Sequence, residues 1–294
     1  MKLVTIPEEP LHTPRATALV PMRYEDIAQD GRMLLEFGGK GIGEVVWREL
    51  LEKAPQRDLM ISTGIVPILT RYTVVGGTGP FSVNAQVTGA GTYALGQDGE
   101  RVYLDMWTTL LASHGSSWEA QPDRGGPPVV ALSTFAEHVM TRLFAPPNER
   151  KVSSLPGIDL DPRRFALPDR EAMLVLPERA EPLDAELRPD SVPWVFGLRH
   201  TDSNQHVNSL VYPQLFEEAL LRRALELGRS TSVLATEIDC AYRKPCFAGD
   251  VVRWWLRAFL LDGQLGAVGV LVEEGATPHD DRRRPRTYAR LLMA

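Results

Sequence analysis

Fourteen consecutive residues, Arg199-His200-Thr201-Asp202-Ser203-Asn204-Gln205-His206-Val207-Asn208-Ser209-Leu210-Val211-Tyr212, form the densest run of chemically active side chains in the sequence. Within it Asp202, Asn204 and His206 alternate. Alternate side chains of an extended segment project to one side, so the spacing predicts that an acid, an amide and an imidazole meet at one substrate atom or water. A helix starting just afterwards would aim its first backbone N–H groups at the same place, where they favour a developing oxyanion. The same residue types have a plainer use, because Asp, Ser and Asn also cap helices and close turns.

These residues need elements to hold them. Around the run, the pattern predicts a strand over 192–199, a helix over 209–227, and strands over 232–242, 250–261, 266–273 and 287–293. In the strand after Asp250, Val252, Trp254, Leu256 and Ala258 alternate with Arg253, Trp255, Arg257 and Phe259. One face is therefore wholly apolar, as in a sheet wrapped around a helix. The first part of the chain has the same order: a strand over 16–22, a glycine-interrupted helix over 32–53, then strands over 60–75, 81–95 and 102–112. Between the two regions lie 12 of the 23 prolines, at positions 121–193. That stretch reads as a linker over 113–191 with one helix over 133–144.

The two regions look like diverged copies of one α+β unit. Arg23-Tyr24-Glu25-Asp26 aligns with Arg199-His200-Thr201-Asp202, and Tyr72 with Tyr242. The expected domains are thus 1–112 and 192–294. At 294 residues, 44% of them hydrophobic, the chain has enough length and apolar content for two cores.

The run Asp202-x-Asn204-x-His206-Val207-Asn208 with Tyr212 resembles the active-site motif of plant-type acyl-acyl-carrier-protein (acyl-ACP) thioesterases. Hotdog-fold thioesterases more broadly share the aspartate and the tyrosine ten residues on. Tyr242-Arg243-Lys244-Pro245-Cys246-Phe247-Ala248-Gly249-Asp250 resembles the segment in which those enzymes carry a Glu-Cys pair. The resemblance covers Trp194 to Leu261 and reaches Arg15 to Leu111 through the repeat. It implies a tandem (double) hotdog, each unit a long helix wrapped by an antiparallel sheet, paired as an internal pseudo-dimer with the active site where the units meet. Two departures stand out: Pro245 occupies the place of the glutamate, and Ser209 that of the second asparagine of HVNN. In the first copy the aligned places of Asn204, His206, Asn208 and Tyr212 hold Ala28, Asp30, Arg32 and Glu36, while Asp26 keeps the aspartate. One working site is expected, built on the second copy and lined by the first.

The implied activity is hydrolysis of acyl-ACP or acyl-coenzyme A thioesters, without cofactor or metal. Asp202 would activate water or attack directly. Asn204 would position water or the carbonyl, and His206 would orient the network or protonate the departing thiolate. Their alternatives are a helix cap for Asp202 and a structural role for His206. Asn208 is a supporting candidate. Cys246 is a nucleophile candidate or a small buried hydrophobe. Glu217 and Glu218 are auxiliary bases or a solvated helix face, and Tyr212 is a supporting candidate that packs at the helix–sheet contact or touches the acyl group. Arg222-Arg223 and the run 281–286 could meet an acidic carrier or coenzyme A phosphates, or be ordinary surface charge.

Other classes fall away. A formal net charge of −6 lacks the basic surplus of a nucleic-acid binder. Two cysteines, Cys240 and Cys246, give neither a disulfide framework nor a zinc pattern. No G-x-S-x-G elbow, P-loop or dinucleotide fingerprint occurs. The N-terminus lacks a signal-peptide core and no apolar run is long enough to span a bilayer, so a cytoplasmic protein is expected; the repeat and the resemblance imply a monomeric pseudo-dimer or a homodimer. The rival readings are a non-catalytic acyl-binding protein of the same fold and a hotdog dehydratase or hydratase.

Overall fold

A computed structural model describes residues 2–116, 126–280 and 283–294. The chain divides into two compact units, one formed by Ile6–Leu167 and the other by Pro168–Ala294 with the residues up to Thr5.

In the first unit, β1 (Arg15–Leu19) precedes α1 (Phe37–Gly41), which continues as a π-helical segment, Ile42–Leu51, with Glu52 N–H bonded to Trp47 O at 2.8 Å. After α2 (Gln56–Ser62) come β2 (Val66–Val75), β3 (Thr88–Asp98), β4 (Arg101–Ala112), β5 (Val129–Thr141) and the two-residue β6 (Asp161–Pro162). The antiparallel sheet runs β1-β3-β4-β5-β2, with β6 parallel on the edge of β3. Ile42, Val45, Val46 and Leu51 are buried against this sheet. Val45 comes so near that a Cβ at Gly89 would lie 2.6 Å from its methyl, which is why a glycine stands there in a strand.

The second unit begins with three short pieces, β7 (Glu181–Pro182), β8 (Arg188–Pro189) and β9 (Trp194–Val195). Then follow α3 (Val211–Glu226), β10 (Ala235–Tyr242), β11 (Val251–Leu261), β12 (Gln264–Glu273) and β13 (Thr287–Met293). The antiparallel order is β10-β13-β12-β11, with β7, β8 and β9 along the outer edge of β11. Tyr212, Leu215, Phe216, Ala219, Leu220 and Ala224 make the buried stripe of α3. Phe216 lies 4.5 Å from the ring of Trp254, over Gly269, where a Cβ would sit 2.5 Å from the phenyl ring. Val252, Trp254, Leu256 and Ala258 are buried as the alternation required. Each unit is a helical segment laid on an antiparallel sheet, and the chain is an α+β tandem of two.

Several expectations change. The segment over 133–144 is not a helix: most of it is β5, paired with β4 and β2, so this part of the supposed linker belongs to the first sheet. Its residues 134–136 are all buried, and a strand covered on both faces loses the alternation that identifies it. The start of the strand expected over 60–75 lies in α2. The strand expected over 192–199 shortens to β9, because Gly197 leads into a single 3-10 turn at Leu198–His200.

Candidate active site

The motif run does not stay extended. Thr201 and Val207 bridge in antiparallel fashion and close a tight loop. Within it Asp202 N–H donates to His206 O at 3.1 Å, Gln205 N–H to Asp202 O at 3.0 Å, and Gln205 takes φ 64°. The alternation argument therefore fails for Asp202, Asn204 and His206, because a left-handed residue between them reverses the chain.

Asp202 and Asn208 do come together. One carboxylate oxygen of Asp202 accepts the Asn204 N–H at 2.8 Å, and the other accepts the Asn208 side-chain amide at 3.2 Å. Asn208 also closes a turn just before α3, its Oδ1 taking the N–H of Leu210, the N-cap residue, at 2.9 Å. The capping role anticipated for Asp202 is therefore not filled by its side chain, since α3 has no side-chain cap, and Leu210 N–H is not free to bind an oxyanion. Asp202 closes the Asx turn and remains half-buried, while Asn204 is exposed. His206 Nδ1 lies 3.1 Å from the Val207 carbonyl. That contact requires the proton on Nδ1 in the neutral ring, which leaves Nε2 as a proton acceptor.

Beneath the loop, Cys246 O accepts the Val207 N–H at 2.8 Å and Cys246 N–H donates to the Tyr212 hydroxyl at 3.1 Å. Both side chains are buried. Burial pushes the Cys246 thiol up to about 11, against a hydrogen bond with Tyr212 and the field of Arg286, which lower it. Burial likewise raises the Tyr212 hydroxyl above the usual tyrosine range. A thiol held protonated is a poor nucleophile, so the structure favours the packing role for Cys246. Arg286, the last residue of the run 281–286, is buried; it donates to Pro245 O at 2.7 Å and pairs with Glu273 at 2.5 Å. Its place at the end of an arginine run disguised it as surface charge. Asp281 and Arg282 of that run lie outside the described residues.

The charges on α3 are also occupied, whereas Arg283 and Arg284 are exposed. Glu217 accepts the Ala235 N–H at 3.0 Å, and Glu218 pairs with Arg222 at 3.6 Å. Arg222 is bound to Asp190 at 2.6 Å, and Arg223 to Asp184 and, at 2.7 Å, Glu226. These arginines hold the buried acids Asp184 and Asp190, which makes them internal struts. Among the described residues no group of three or more His, Cys, Asp or Glu side chains could hold a metal ion, and no helix is long and apolar enough to cross a membrane.

The first unit repeats the loop's backbone without its chemistry. Ile27 bridges Met33, Ala28 N–H donates to Arg32 O, Gly31 N–H to Ala28 O, and Leu34 N–H to Asp26 O. The second unit has the same four relationships at Thr201–Val207, Asp202–His206, Gln205–Asp202 and Asn208–His200. Tyr72 donates to Leu35 O as Tyr242 does to Ser209 O, at 3.2 and 2.9 Å. This equivalence moves the sequence alignment by two residues. Ala28 matches Asp202, Asp30 matches Asn204, Arg32 matches His206 and Leu34 matches Asn208. Asp26 matches His200, so the first copy does not keep the aspartate; Asp26 is buried beside Lys40, at 2.5 Å, and Arg23.

Three solved structures share the architecture over nearly the whole chain. One, provisionally described as an oleoyl thioesterase from Lactobacillus plantarum, has a TM-score of 0.64 at 14% identity, covering 96% of this chain and 97% of that one. The fold is a tandem hotdog. An acyl-ACP thioesterase from Bacteroides thetaiotaomicron matches with a TM-score of 0.58 at 13% identity, over 95% of this chain and 98% of its own. The 12:0-ACP thioesterase of Umbellularia californica matches with 0.59 at 14%, over 95% and 94%. At these identities the likeness is one of tandem hotdog fold. No protein-family model matches the chain. No curated protein matches it significantly by sequence.

Proposed function

We propose that this tandem hotdog protein is an acyl thioesterase that hydrolyses acyl-ACP or acyl-coenzyme A thioesters, with its site on the second unit. The observation that carries the reading is the Asp202 carboxylate, displayed on a loop before α3 and steadied by the Asn204 N–H and the Asn208 amide. Only the second unit has this acid at that place in the loop. The thioesterase descriptions of three proteins with the same fold support the reading.

Each Asp202 oxygen accepts one protein hydrogen bond from those donors and keeps a lone pair for a water. In the general-base form, Asp202 takes the water proton, the hydroxide oxygen bonds to the acyl carbon, and the carbon–sulfur bond breaks with the thiolate taking up a proton. In the nucleophilic form the carboxylate bonds to the acyl carbon and expels the thiolate, which takes up a proton, and water then cleaves the resulting anhydride to the free acid and the restored carboxylate. His206 offers Nε2 as a proton relay, and Asn204 holds water or carbonyl. No cofactor takes part. The enzyme acts in the cytoplasm on fatty acyl groups, as a monomeric pseudo-dimer or a homodimer.

A thiol-release assay over a series of acyl chain lengths, on both ACP and coenzyme A, tests this with Asp202→Asn as control. Release abolished by the substitution supports it. No release from any substrate favours the non-catalytic acyl-binding reading, which the turn-closing hydrogen bonds of Asp202 and the proline at 245 would then explain.

A further inference from the structure

The first unit contains a cleft of about 650 Å³ lined by none of the proposed catalytic residues. It lies where the edge of β3 is uncovered: β1 pairs only as far as Thr92 and β6 begins at Gly96, so among the described residues no strand pairs with Tyr93, Ala94 or Leu95 on that side. Residues 10–14 and 161–165 flank the opening, and residues 49–55 at the end of the helical segment form another wall. Its size is that of a drug-sized ligand site.

The wall carries a built polar group. Ala94, Asp105 and Glu137 stand directly opposite one another across β3, β4 and β5. Over this row lies Arg163, bidentate on Asp105 at 2.9 and 2.7 Å and bound to Glu137 at 2.7 Å. Its guanidinium also stacks on Tyr103 at 4.5 Å and on Phe165 at 4.4 Å. Asp105 and Arg163 side chains are only 3% and 5% exposed. Two carboxylates share one guanidinium, so with both ionised the cluster carries one uncompensated negative charge in a place with little water. Burial, with Glu137 adding to it against Arg163, pushes the Asp105 carboxyl up to about 7. Arg163 is saturated by two acids and two rings, and Lys53 on the same wall is paired with Glu49 at 2.5 Å, while the exposed Arg164 and Asp161 at the rim carry opposite charges, so the wall beside Asp105 offers an anion little. Ala94, by being small, leaves space beside Asp105.

We propose that this cleft binds a small organic amine, its apolar body lying among Tyr93, Leu95, Trp107 and Phe165 and its ammonium against Asp105. The ammonium supplies the missing positive charge through a charge-assisted hydrogen bond, and the surrounding aromatic faces favour a cation. An amine of this kind is no intermediate of thioester hydrolysis, so the site stands independently of that activity.

Isothermal titration of the full-length protein with 2-phenylethylamine and with its near-isosteric anion 3-phenylpropionate tests this at neutral pH. The amine is expected to bind saturably at one site, at least about ten-fold tighter than the anion. Asp105→Asn should weaken the amine by at least about ten-fold. Because that substitution disturbs a buried ion pair, Ala94→Leu serves as a second variant that fills the space and leaves every charge in place; it too should remove binding while circular dichroism stays unchanged. Equal or tighter binding of the anion, no saturable binding of the amine, or amine binding unaffected by Ala94→Leu would each overturn the proposal.

Discussion

The hydroxyl of Tyr212 accepts the backbone N–H of Cys246 at 3.1 Å, and both residues are buried. Because Cys246 O in turn holds the Val207 N–H, this bond connects α3 to the loop bearing Asp202 and His206. Tyr212→Phe leaves a buried N–H without its acceptor, at a cost of about 1–3 kcal/mol. Urea denaturation should show that loss at an unchanged m-value, together with a several-fold fall in thioester turnover. Unaltered stability would mean that the hydroxyl is dispensable to the loop.

Cys246 itself is expected to be catalytically silent. With its thiol pushed up to about 11 by burial, almost none is thiolate at neutral pH. Cys246→Ala should keep turnover within a few-fold and lose about 1–2 kcal/mol of stability from the space left behind. A fall in kcat of several orders of magnitude in a folded variant would make it the nucleophile after all.

Asp202→Asn separates the turn from the chemistry. An asparagine oxygen can still accept the Asn204 N–H, but its amide would face the amide of Asn208, two donors in opposition. A stability loss of about 1 kcal/mol is expected, whereas turnover should fall by about 10²–10⁴. Near-wild-type turnover would leave Asp202 with the turn alone.

The second unit was the more legible in sequence, because α3 and β11 carry clean periodicities of helix and half-buried strand. β5 was not legible: Phe135, Val139 and Leu143 are spaced like a helix face, and burial on both sides of the strand removes the alternation that would have shown it. The motif residues were found from their types, but their arrangement was not, since nothing in the order Asp-Ser-Asn-Gln-His reveals that Gln205 turns left-handed. Matching letters also misled the repeat. Arg23 and Asp26 align with Arg199 and Asp202 by identity, yet the hydrogen-bonded loops pair Ala28 with Asp202. Backbone geometry had outlasted side-chain identity.

Arg222 and Arg223 illustrate charge that looks available and is committed. Asp184, buried, accepts both Arg223 and the Ala258 N–H, the latter at 3.0 Å. Arg223→Glu would set a carboxylate against that acid, and breaking a partly buried pair costs about 3–5 kcal/mol. A large drop in Tm is expected. A variant of native Tm with only a raised KM for a carrier-bound substrate would return Arg223 to the docking surface.

His138 should leave a mark on the pH dependence of stability. It lies on β5 opposite Leu104 and Leu69, edge-on to Trp47 at 6.0 Å, with no partner for Nδ1 among the described residues. Burial lowers its pKa from 6.5 to about 4. Between those values the unfolded chain holds a proton that the native ring refuses, so stability falls as pH drops from 6.5 towards 4. The full span amounts to about 3 kcal/mol, and above pH 6.5 the group contributes nothing to the slope. Asp105 works in the opposite sense: its pKa is raised to about 7, so the native state keeps the proton more readily and stability rises as pH falls from 7 towards 4. The two effects partly cancel in the wild type, and only a difference between proteins isolates the histidine. His138→Leu should match or exceed wild-type stability at pH 7, and its advantage should grow steadily as pH is lowered to 4.5. A constant difference between the two urea midpoints across that range would show that His138 titrates normally and is not buried as neutral imidazole.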